Sequence, residues 1–103
     1  MNNPEITKSQ LITQLNNWGE GKISSEQLQD WMVTFYDPPE VIIGQGESEW
    51  TQLAMHIIMN EYEIAKTEKF RVENYRLAIA FAQCTEETFD KSKHLFLYDG
   101  FSD

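Results

Sequence analysis

Leu11, Ile12, Leu15 and Trp18 recur at intervals of three and four, so they share one face of a helix running roughly from Lys8 to Trp18. Gly19 and Gly21 follow, and glycine enters the left-handed turn at a helix end more easily than a residue with a Cβ. Ser24 with Gln27 three positions on is a capping-box pattern; Leu28, Trp31, Met32 and Phe35 then carry helical spacing toward Asp37-Pro38-Pro39, where proline cannot continue it. Val41-Ile42-Ile43, closed by Gly44-Gln45-Gly46, is too short for its period to separate extended chain from a buried turn, and it reads as a loop.

Glu47 and Glu49 stand where the positive end of a helix dipole favours acids, and Trp50, Leu53, Ala54, Ile57, Ile58, Ile64 and Ala65 trace one apolar face of a third helix to about Lys66. Val72, Tyr75, Ile79 and Ala82, with Leu77, Ala78, Ala80 and Phe81 between them, predict a short, largely buried fourth helix. Thr85-Glu86-Glu87 reads as a further cap ahead of Phe89, Lys91 and Lys93, while period leaves Leu95-Phe96-Leu97-Tyr98 open between helix and strand before Asp99-Gly100. The expectation is an all-α fold: a single domain over residues 1–103, an antiparallel bundle of four to five helices, with 1–7 and 101–103 flexible.

Composition narrows the function classes. A chain of 103 residues buries only about 60–65% of the surface it exposes unfolded, enough for one core. Hydrophobic residues at 41% and aromatics at 13% exclude a disordered chain. Seventeen acids against eight bases leave a formal charge of -9, a field that repels nucleic acid and anionic membrane surfaces and is complemented by a basic partner. The charge is uneven: residues 1–65 set ten acids against Lys8 and Lys22, whereas residues 66–93 hold six bases and five acids. One cysteine, Cys84, excludes an internal disulfide and a cysteine-built zinc site, and no window approaches a membrane span or a secretion signal, so a cytoplasmic location is expected.

The chemistry-bearing candidates are sparse. Gly44-Gln45-Gly46 has the opening of a dinucleotide-binding loop, but its third glycine is replaced by Glu49 and Glu47 would repel phosphates, so it reads as a hinge-like loop. His56 and His94 have no metal-ligand spacing, and His56 reads as the edge of a packed helix face; Cys84 reads as a small core or boundary residue. Glu61 and Glu63 are paired acids, yet i and i+2 on a helix point about 200° apart, which argues for a solvated face rather than an acid/base pair. No catalysis, cofactor or metal is expected. The functional alternative is display: Asp37, Glu40, Glu47 and Glu49 on the loop between the second and third helices, with Glu61 along the third, present a negative surface to a cationic cleft. Tyr36 and Trp50 stand among them as aromatic anchors, although Trp50 also suits a core position.

Leu15-x-x-Trp18-x-x-Gly21-x-Ile23-Ser24, followed by Leu28-x-x-Trp31-Met32, resembles the opening of a family of small bacterial immunity proteins, in which a short helix ending in Trp, a glycine turn and an Ile-Ser cap lead into a second helix with a core Trp. Glu73-Asn74-Tyr75-Arg76-Leu77-Ala78-Ile79-Ala80-Phe81 and then Thr85-Glu86-Glu87 look like that family's short penultimate helix and the cap of its last one. The likeness spans roughly Gln10 to Tyr98 and rests on packing residues and turns; Gln83-Cys84 and Met32 depart from it. What it implies is a cognate immunity protein of a contact-dependent inhibition or related polymorphic toxin system. Such a protein binds one toxin C-terminal domain, frequently a nuclease, as a 1:1 complex in the cytoplasm and blocks its active site. The charge argument agrees with a nuclease target, because an acidic inhibitor can occupy a field built for phosphate, and a ribonuclease is the toxin expected under this resemblance. The resemblance carries no binding residues over. The competing expectations are an acidic adaptor for a basic protein partner and, from carboxylate count alone, a small hydrolase using Glu61 or Glu86.

Overall fold

The computed structural model of the protein describes residues 5–36 and 41–102. Within them the chain is mostly helical: β1 Glu5–Ile6, α1 Lys8–Gly19, α2 Ser25–Tyr36, β2 Ile42–Ile43, α3 Glu49–Ile64, two single 3-10 turns at Thr67–Lys69 and Val72–Asn74, α4 Tyr75–Ala82 and α5 Phe89–Asp99. Each of the first three helices starts on a hydroxyl. Thr7 and Gln10 form a reciprocal capping box on α1, Ser24 and Gln27 form the one predicted on α2, and the Ser48 hydroxyl accepts the backbone N–H of Thr51 at 3.2 Å on α3. At α5 the helix begins later than the predicted cap: Thr85 and Thr88 close a turn on each other, and Thr88 holds the cap position without a side-chain bond to the helix.

Three expectations change. The run read as a loop is partly a strand, because Ile42 and Ile43 pair in parallel with Glu5 and Ile6, and the Gly44 N–H donates to the Ile6 carbonyl at 2.8 Å. The partner lies far upstream, in the segment expected to be flexible, where no local period can reveal it; Ile6 is buried in the core. At the other end, Phe101 bridges Phe70, and Ser102 N–H donates to the Lys69 carbonyl at 2.8 Å. Leu95 to Tyr98, left open by the sequence, belong to α5, whose Phe89 and Phe96 fall two turns apart on its buried face.

The third change is the phase of α3. Its fully buried side chains are Ala54, Met55, Ile58, Met59 and Tyr62, together with Thr51, while Leu53 and Ile64, expected inside, are exposed. The apolar residues of α3 span two overlapping stripes, and the one chosen by the rest of the fold carries the two methionines and the tyrosine. Tyr62 explains the choice. Its ring lies 5.0 Å from Phe70, 5.5 Å from Trp18, 5.6 Å from Phe96 and 5.3 Å from Phe101, so α1, α5 and the turns around α4 converge on it. Trp18, Phe70 and Phe96 meet it edge to face and Phe101 at a tilt of 49°, contacts that add to plain burial.

Two further contacts position α3. Gln29 of α2 donates its amide Nε2 to the carbonyls of Ala65 at 2.6 Å, Tyr62 at 3.0 Å and Glu63 at 3.3 Å, groups that a helix C-terminus otherwise leaves unpaired. At the opposite end, Gly44 adopts φ +66°, its carbonyl accepts Gln52 Nε2 at 3.0 Å, and a Cβ there would sit 2.9 Å from the Met55 sulfur. Only glycine meets both demands, which fastens β2 to the start of α3. Elsewhere Gly19 lets Tyr75 close on the end of α1, where any Cβ would overlap the ring.

Candidate functional site

Among the described residues, large exposed apolar side chains occur on α2 (Val33, Phe35), at Val72, at Tyr98 and on α3 (Leu53, Ile64), and those of α3 continue a strip of partly buried apolar residues. At 100° per residue, Trp50, Leu53, Ile57, Glu61 and Ile64 fall within about 80° of arc, and at 1.5 Å rise they extend over roughly 21 Å. Leu53 is 48% and Ile64 67% exposed, whereas Trp50 and Ile57 are half-buried against the core. Trp50 owes its position to Phe89, 5.3 Å away on α5, so its ring roots the strip in the protein and leaves one edge outward. Glu49 is exposed in the first turn of α3 and lies about 40° beyond Leu53 on one side of the strip, while Glu61 lies about 20° beyond Trp50 on the other. The arrangement is an apolar ridge between two carboxylates, the layout of an interface with a dry centre and a charged rim.

The remaining expected residues divide around this ridge. Tyr36 closes α2 over the flank of α3 that carries His56, with its hydroxyl 3.3 Å from His56 Nδ1 and the two rings 5.8 Å apart. Partial burial, and secondarily the carboxylate of Glu63, push the Tyr36 phenol above its ordinary value, so it keeps its proton and holds this contact at neutral pH. His56 itself is exposed, beside the ridge on the Glu49 side. Glu47 is half-buried and pairs with Lys8 at 3.2 Å. This pairing is a product of the small sheet: β1 leads into Lys8 and β2 into Glu47, so strand pairing brings the two charges together and reduces what Glu47 presents outward. Asp37 and Glu40 lie outside the described residues. Tyr36 and Trp50 therefore stand on different flanks of α3, and Glu49, Trp50 and Glu61 are the expected residues that border a common surface.

Sequence reasoning missed Leu53 and Ile64 as surface residues because it assigned them to the core. The available signal was the second stripe, Met55, Met59 and Tyr62 at intervals of four and three, which competes for the same core. Nothing in the geometry adds a chemical centre. Among the described residues no three His, Cys, Asp or Glu side chains group as a metal site, and no helix is long and apolar enough to cross a membrane. Gly44-Gln45-Gly46 places its backbone against Ile6, Glu47 and Gln52, so its bonds tie elements together rather than face an anion. Cys84 is buried, its thiol pushed up by burial and donating to the Trp50 carbonyl at 3.7 Å, conditions opposite to those of a nucleophile. Comparison with protein-family models, with curated proteins and with solved structures finds no match to this chain.

Proposed function

We propose that this chain is an immunity-type inhibitor: a single-domain antiparallel bundle of five helices that acts in the cytoplasm and neutralises one basic toxin domain, a ribonuclease under the resemblance to small immunity proteins, in a 1:1 complex. The observation that carries the reading is the ridge of Leu53, Ile57 and Ile64 bordered by Glu49 and Glu61. Large apolar side chains grouped on a surface mark an interaction site, and carboxylates on its rim select a cationic partner. The formal charge of -9 extends that selection to long range, where it raises the rate of encounter with a basic protein. The resemblance of the turns and packing residues to small immunity proteins supplies the class of partner. No step of chemistry is assigned to the chain: it occupies the toxin's phosphate field and blocks access to it.

The test separates anchoring from charge. Leu53→Asp with Ile64→Asp makes the protein more acidic at two exposed positions, so a partner held by charge alone would bind at least as well. The proposal expects the double variant to stay folded, melting several degrees lower because aspartate is the poorer helix former and a carboxylate at position 64 meets the negative end of the α3 dipole, and to bind the toxin domain at least about a hundredfold more weakly, mainly through faster dissociation. Undiminished affinity removes the ridge from the interface. If the toxin domain is not bound but another basic protein is, the acidic-adaptor reading takes its place.

A further inference from the structure

A groove of about 260 Å³ is lined by residues of β1, α1 and α2, none of them from α3. One wall is aromatic: Trp31 and Phe35 are one helical turn apart on α2, with ring centroids 5.5 Å apart and planes tilted by 42°. The α1 side is polar, with Ser9, Gln10, Thr13 and Gln14, and β1 adds buried Ile6 and exposed Glu5 to the lining. No basic side chain lines it, and Lys8, adjacent in sequence, has its ammonium held by Glu47 at 3.2 Å.

Size, shape and charge select the occupant. Sites for cofactors and drug-sized ligands run to roughly 300–1,000 Å³, so this groove suits something smaller, such as one long side chain. An aromatic wall accepts an aliphatic stem along its length and a flat cation against a ring face, hydroxyls and an amide carbonyl on the facing wall accept N–H donors, and Glu5 supplies the single charge. We propose that the α1–α2 groove is a socket for one arginine side chain of the basic protein partner, stacked on Trp31 and Phe35 and paired with Glu5. The proposal rests on the inhibitor reading only for the partner's being basic. It adds a second contact region, on a different pair of helices from the ridge.

The first probe is N-acetyl-arginine amide, titrated into the full chain while the three tryptophan indole N–H signals are followed by NMR, with N-acetyl-citrulline amide as the neutral isostere. The expected result is a saturable shift of the Trp31 signal alone, with a dissociation constant on the order of 10 mM, as one stacked side chain warrants. Citrulline should leave the signal in place, and Glu5→Gln, a change at an exposed position, should weaken the arginine probe by about threefold. Equal shifts with both probes, shifts of Trp18 or Trp50 instead, or no shift at all overturn the socket. The partner arm then uses Trp31→Leu, checked for wild-type helicity, and Glu5→Gln, each expected to bind the toxin domain about three- to tenfold more weakly. If the probe binds but both variants hold the toxin domain as wild type does, the socket proposal falls while the inhibitor reading stands. If the wild-type chain binds no basic protein, the inhibitor reading falls, and the probe titration still decides whether the groove takes a guanidinium.

Discussion

Replacing Gln29 tests how α2 holds α3 in register. Its amide nitrogen carries two N–H donors and faces three carbonyls at the C-terminal end of α3, the shortest contact being 2.6 Å to Ala65. A hydrogen bond contributes about 0.5–1.5 kcal/mol net, so two donors are worth about 1–3 kcal/mol. The site is only partly buried, and water can reach some of the carbonyls in a variant, which places Gln29→Leu in the lower half, about 1–2 kcal/mol. For a chain of this size that is a fall in melting temperature of about 5–12 °C, read by circular dichroism at 222 nm. Gln29→Glu should be worse at neutral pH, because its carboxylate faces carbonyl oxygens at the negative end of the α3 dipole, adding about 0.3–1 kcal/mol. The sign with pH is specific. That carboxyl would titrate above its unfolded value of about 4.3, so the folded variant binds the extra proton and regains stability as pH falls toward 4. A Gln29→Glu protein as stable as Gln29→Leu at pH 7, or a Gln29→Leu protein melting with wild type, would refute the capping role.

Other consequences are open to simple assays. Gly19→Ala places a methyl group against the Tyr75 ring where α1 meets α4, and should lower stability by about 1–3 kcal/mol in denaturant titration, although alanine is the better helix former. Burial pushes the Tyr62 phenol well above its ordinary value of 10.0. Its contribution to stability is therefore fully present below pH 10 and is lost as pH rises beyond that, because the unfolded chain releases the proton first. Tyr62→Phe should flatten the alkaline decline seen by circular dichroism, and an unchanged slope would count against it. The Cys84 thiol, buried and held protonated, should react with Ellman's reagent only as the protein unfolds, so that labelling in native buffer at the rate of a free thiol would contradict its placement.

How far the sequence is readable differs between helices and what joins them. The first two helices follow from spacing and caps because their signals are local: Trp18 is followed by glycine, and Ser24 is answered by Gln27 within one turn. The β1–β2 pair was invisible for the opposite reason, since two residues on each side carry no period and the information lies in their juxtaposition. That pair also determines Glu47, which sequence alone treats as a free acid and the fold joins to Lys8. For the candidate site, Glu49, Trp50 and Glu61 were legible as acids and an aromatic on one helix, but the side of α3 that faces outward was not. Nine apolar or aromatic positions along α3 fit more than one inward stripe, and the ring cluster around Tyr62, assembled from α1, α5 and the turns near α4, decides between them. The Trp31–Phe35 wall was hidden in the same way: helical spacing sends both rings inward, whereas α2 fully buries only Leu28 and Met32.

The central claim is that an apolar ridge with an acidic rim on α3 holds a basic toxin domain. Its most direct test is calorimetric titration of the candidate toxin domain with three proteins at low and at physiological salt: wild type, Leu53→Asp with Ile64→Asp, and Glu49→Lys with Glu61→Lys. The account predicts a 1:1 complex of nanomolar affinity for wild type and a loss of about a hundredfold or more for the ridge variant at both salts. It predicts a loss for the charge-reversed variant that is largest at low salt, where screening is weakest. Tight binding by all three proteins, or none by wild type, would contradict it.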